Sequence, residues 1–156
     1  SSSFRKNGLQ SKLWFLRFFF GRRIIVAGHR MSLYHLEHRI IRKLFSEPRI
    51  HFALNCASVS CPPLRDGLYS AEDLDSELDL ATKGFLAAGR GARRSGESLE
   101  ISRIFKWYAK DFGGRSGIFR FLSEYLPDDL RAWFQDTSPT IRFMQYDWGL
   151  NAHAPS

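Results

Sequence analysis

Apolar positions along this 156-residue chain recur in short stretches with two different periods. Ile24-Ile25-Val26 is β-branched and is closed by Gly28, which predicts a short strand. Ser32 is placed to cap a helix in which Leu33, Leu36, Ile40 and Leu44 share a face, and Pro48 stops it. Glu37 and His38 fall in the middle of that helix. Ile50-His51-Phe52-Ala53-Leu54 reads as a second strand, running into a turn over residues 55–63 whose Pro62-Pro63 pair excludes helix. Ser70 with Asp73 resembles a capping box, ahead of a helix with Leu74, Leu78, Ala81 and Phe85 on one face. Residues 89–96 read as a basic, Gly-rich surface loop, and Leu99 with Ile101 as a short strand. Three helices follow. Ser102 caps the first, which carries Ile104, Phe105, Tyr108 and Phe112; Ser116 opens the second and Pro127 the third. Thr140 to Tyr146 alternates apolar and polar, which predicts a strand with one buried face.

This order of elements predicts an α+β fold, with helices packed around a small, mostly antiparallel sheet. No repeat or linker interrupts the chain, so residues 1–156 read as a single domain, loose over 1–12 and 152–156. Composition agrees: 44% of residues are hydrophobic and 25% charged, which excludes a disordered polymer, and two cysteines exclude a disulfide scaffold.

Charge changes the picture in one respect. The formal net charge is +7, and residues 1–50 alone hold 11 Lys/Arg against 2 Asp/Glu. A basic first third suits a solvated basic face, or peripheral contact with an anionic membrane, better than it suits nucleic acid. The run from Leu13 to Phe20 is broken by Arg17 and is too short to span a bilayer. No signal peptide is visible at the Ser1-Ser2-Ser3 start.

Candidate chemistry concentrates where the second strand ends. His51, Cys56, Ser58, Ser60 and Cys61 lie within eleven residues. A thiol becomes a good nucleophile when a base or a positive environment makes it a thiolate, and a carboxylate can orient an imidazole base. The nucleophile is Cys56 or Cys61, the base His51 or His38, and the orienting acid Glu37 or Asp147. On a strand, His51 and Cys56 would point to opposite faces unless a turn intervenes at Asn55. Against this stand packed cysteines, a Cys56–Cys61 disulfide and a satisfied core histidine. Cys56, Cys61 and His51 match no usual zinc spacing, so no metal or other cofactor is expected.

The segment Pro48-Arg49-Ile50-His51-Phe52-Ala53-Leu54-Asn55-Cys56-Ala57-Ser58-Val59-Ser60-Cys61-Pro62-Pro63-Leu64-Arg65 resembles the signature of domain of unknown function family 547. So do Leu36-Glu37-His38, Ile104-Phe105-Lys106-Trp107-Tyr108 with Asp111-Phe112, and Tyr146-Asp147-Trp148 with Leu150-Asn151. The resemblance covers residues 1–151 and implies a bacterial-type member. It implies a papain-like or transglutaminase-like arrangement, carried over to Cys56 or Cys61, His51 or His38, and Glu37 or Asp147. It also implies an exported or periplasmic location. The family's N-terminal helical segment, with an Asn-aromatic-Asn motif, has no match here, so the chain reads as the C-terminal majority of the family domain.

Two functions follow as expectations. One is a thiol-dependent hydrolase or acyl transferase acting on amide or glutathione-like substrates. The alternative is a non-catalytic ligand- or protein-binding module, with Trp107, Tyr146 and Trp148 lining its pocket and the cysteines structural. The sequence leaves the oligomeric state open.

Overall fold

The structure, a computed structural model, describes residues 17–44, 46–56, 58–149 and 151. The lead-in expected over 1–12, the first half of the apolar run and the tail 152–156 lie outside these residues. The fold is α+β, and its contacts divide the chain into two compact units.

The first unit contains the described residues up to Glu47, together with 56–59 and 147 onward. After a π-helical turn, Arg17–Gly21, strand β1 (Arg23–Val26) pairs antiparallel with β2 (His29–Ser32). The connecting Ala27 and Gly28 both have positive φ, the condition for a tight hairpin turn that matches strand twist. The pattern reading found β1 and missed β2, because His29-Arg30-Met31-Ser32 carries only one strongly apolar residue. Ser32 caps the next helix as its position predicts, accepting from the His35 N–H at 3.1 Å.

That helix is α-helical over Leu33–His35, π-helical over Leu36–Ile41 and α-helical again over Arg42–Leu44. The Arg42 N–H bonds to the Glu37 carbonyl five residues back. A π turn takes one extra residue, so the side-chain phase shifts across it. Glu37 and His38 sit on this widened turn, half-buried.

The second unit holds residues 48–55 and 60–146. Its first element overturns a sequence expectation. Ile50–Ala53 is one turn of helix, not a strand. Pro48 needs no N–H at a helix start, and its carbonyl accepts from the His51 N–H at 3.2 Å; Leu54 N–H closes the turn on Ile50 O at 3.1 Å. Helical geometry replaces strand alternation over these residues. His51 and Phe52, neighbours in sequence, are both buried.

The Leu74–Ala87 helix follows, then β3 (Ala92–Ser95) and β4 (Ser98–Ile101), an antiparallel hairpin. Half of the stretch read as a basic loop is therefore strand, with Arg93 and Arg94 on an exposed ribbon paired to Glu100 and Leu99. Helices Ile104–Trp107, Gly114–Tyr125 and Asp128–Thr137 lead to β5 (Thr140–Phe143), which pairs with β4 in parallel. A parallel return needs a long crossover, which the three helices provide. The structured sheet edge is shorter than the alternation suggested, and along it only Ile141 is partly buried.

The core of this unit is aromatic. Phe52, Phe85, Phe105, Phe112 and Phe121 are buried together with Leu86, Leu99, Ile101, Leu122 and Phe134. Phe52 is the hub, with ring centroids 5.3 Å from Phe85, 5.5 Å from Phe105, 5.8 Å from Phe121 and 6.0 Å from Phe112. Offset and tilted aromatic pairs at these separations add to area burial. Gly117 permits the closest approach: a Cβ there would lie 1.7 Å from the Phe112 carbonyl oxygen.

Phe52→Ala is expected to cost about 3–5 kcal/mol in chemical denaturation, since it removes the ring that four others contact. Gly117→Ala, which adds one methyl group, is expected to cost roughly 2–3 kcal/mol, because backbone must move. A neutral Gly117→Ala would contradict the packing described here.

Candidate functional site

The turn that carries His51 is fixed from both flanks. On one side, the Arg49 guanidinium bonds to Asp75 Oδ1 and to Asp79 Oδ1, each at 2.5 Å, tying this turn to the Leu74–Ala87 helix. Tyr125 Oη donates to the same Asp79 oxygen at 3.0 Å. Burial pushes the Asp79 carboxyl up. Hydrogen bonds from Arg49 and Tyr125, with the charges of Arg49 and Lys83, outweigh it and hold the group below the usual carboxylate range. Burial, then donation to Asp79, pushes the Tyr125 phenol up. On the other side, Phe52 enters the aromatic core.

His51 is thereby presented to Asp111. Its side chain is 1% exposed, and Nε2 lies 2.8 Å from Asp111 Oδ2. The imidazole stacks on Tyr108, with centroids 3.8 Å apart and planes 20° apart, and Phe112 flanks it at 5.9 Å. Asp111 comes from the turn after the Ile104–Trp107 helix, where its N–H bonds to the Tyr108 carbonyl at 2.8 Å. One short turn thus supplies the carboxylate, the stacking ring and the flanking ring. With a proton on Nε2 directed at Asp111, Nδ1 carries the lone pair that accepts a proton. A carboxylate bonded to one imidazole nitrogen is a pairing that can orient a base, although in the serine-protease triad the carboxylate sits on the other ring nitrogen.

The two cysteines have different surroundings, and they are not joined in a disulfide. Cys61 is buried, with Sγ 3.8 Å from the Leu54 carbonyl to which it donates. Asn55 Nδ2 donates to the Pro62 carbonyl at 2.6 Å. These two bonds clasp the chain where it leaves the His51 turn and where it returns. Cys56 is half-buried and lies 3.2 Å from Ser58 Oγ.

The remaining sequence candidates belong to the first unit. Asp147 is exposed, and its Oδ1 accepts the Gly149 N–H at 2.8 Å. The Gly149 carbonyl in turn accepts the Val59 N–H at 2.8 Å. Asp147 thus shapes a turn that anchors the segment just after Cys56. His38 stacks on Tyr34, with centroids 4.1 Å apart, and Glu37 is its neighbour on the π turn. Within the second unit the carboxylate bonded to His51 is Asp111, sixty residues along the chain. Among the described residues no group of three or more His, Cys, Asp or Glu is disposed to hold a metal, and no helix is long and apolar enough to cross a membrane.

Comparison with known families adds one finding. Residues 3–86, more than half of the chain, match the model of the family described as "Protein of unknown function, DUF547". The chain belongs to the DUF547 family. Neither a curated protein nor a solved structure matched it. The DUF547 match takes in His51, Cys56, Cys61, Glu37 and His38; Asp111 and Asp147 lie beyond it.

Asp79 generates a pH prediction. Its folded pKa lies below the ordinary value, so it stabilises the fold above that value, and this contribution is lost as pH falls through the folded pKa. Asp79→Asn is expected to lower stability at neutral pH and to flatten the acid limb of a stability–pH curve measured by urea denaturation. An unchanged acid limb would contradict the network.

Proposed function

We propose that this protein is a thiol-dependent hydrolase or acyl transferase acting on an amide or a thiol-containing peptide of the glutathione type. The His51–Asp111 pair is its acid–base element. One observation carries this reading: a buried imidazole held by a carboxylate at 2.8 Å and clamped by an aromatic ring. A general base needs a partner that orients its ring, and a carboxylate supplies one. The thiolate attacks the amide carbonyl, the C–N bond breaks, and the imidazolium returns its proton to the leaving amine. Water or a second nucleophile then releases the acyl group.

The thiol of this chemistry is Cys56 or Cys61, the two cysteines that follow the His51 turn in sequence. A second reading, a binding module with structural cysteines, draws support from Trp107. It is 44% exposed, and its ring lies 4.7 Å from that of Tyr146.

The test is the rate of iodoacetamide alkylation against pH on the reduced native protein, with each cysteine located by peptide mass. One of the two cysteines is expected to react quickly well below pH about 8.5, the ordinary thiol value. His51→Ala is expected to slow it about tenfold or more, with Asp111→Asn between the two. Two slow thiols, or a fast thiol indifferent to His51→Ala, would overturn the enzyme reading in favour of the binding module.

A further inference from the structure

The β1–β2 hairpin has two unlike faces. Directly opposed residues of an antiparallel pair share a face. Ile24 opposes Met31, and both are shielded, with Met31 buried. Ile25 opposes Arg30 on the other face, where Arg23 also stands, and all three are exposed. Ile25 is 72% exposed, an unusual position for a β-branched residue in the middle of a strand. The turn leading into β1 adds exposed Arg17, Arg22 and Phe20, the last at 48%. Residues 17–36 contain four arginines and no Asp or Glu. The outer face is thus an apolar side chain set between guanidinium groups, with no acidic residue in the segment to neutralise them.

We propose that this outer face is a contact site for an anionic lipid surface. Arginines in this setting are drawn to the negative potential of anionic headgroups, and an apolar side chain at their centre enters the headgroup–acyl boundary. Charge complementarity alone fits a nucleic acid as well. The exposed Ile25 decides between them: it gains from an acyl boundary, whereas it neither stacks on bases nor contacts phosphate. The hairpin provides peripheral attachment, separate from the chemistry assigned to His51 and Asp111.

The experiment is co-sedimentation of the full chain with phosphatidylcholine vesicles, with and without phosphatidylserine, across a salt titration. Binding is expected to need phosphatidylserine and to fall as salt screens the exposed charges. The double variant Arg23→Ala/Arg30→Ala is expected to bind roughly 30-fold more weakly, and Ile25→Ser several-fold more weakly with the same salt dependence. All three positions are exposed, and far-UV circular dichroism checks that the variants fold. The two wild-type comparisons require no variant. No phosphatidylserine-dependent binding at low salt would overturn the proposal. So would undiminished binding by the double variant, or tighter binding to a short DNA duplex than to the vesicles at the same salt.

Discussion

The turn closed on Pro48 and Ile50 is the constraint on which the second unit depends. Within four consecutive residues, Arg49 reaches out to two carboxylates of the Leu74–Ala87 helix, His51 meets Asp111, and Phe52 becomes the centre of the aromatic core. Helical geometry makes this division of labour available, because adjacent side chains leave a helix in different directions. A strand here would send His51 and Phe52 to opposite faces and dissolve the arrangement. The buried imidazole is affordable only because its position is over-determined, by core packing on one neighbour and by an ion pair on another.

The same logic links stability to chemistry. The short turn that delivers Asp111 also delivers Tyr108 and Phe112, so the carboxylate, the stacking ring and a core ring move together. Gly117 lets the following helix pass against the Phe112 carbonyl, which fixes that turn from behind. Cys61 and Asn55 close the loop that carries Cys56 out of the turn. The groups around His51 are therefore placed by backbone that is itself packed.

Much of this was legible in the sequence. Ser32, Pro127 and the apolar faces of the Leu74–Ala87 and Gly114–Tyr125 helices announced themselves through local capping and spacing, and the structure has them where those signals lie. The α+β class followed from the same signals. What was not legible depends on contacts between distant residues. Ile50–Leu54 has strand-like composition, and tertiary burial of Phe52 with the Pro48 start made it helical. β2 and β3 are too polar to read as strands until their partners β1 and β4 pair with them. Asp111 stood in a motif that drew notice for its aromatic neighbours. No periodicity relates it to a histidine sixty positions earlier, and the sequence points to Glu37 and Asp147 instead.

The account stands most directly on the hydrogen bond between His51 and Asp111. Nitrogen-15 NMR of the imidazole in the native protein reads it without a substrate. The account predicts that neutral His51 holds its proton on Nε2, and that Asp111→Asn abolishes this preference. A proton on Nδ1, or a His51 spectrum unchanged by Asp111→Asn, would contradict it.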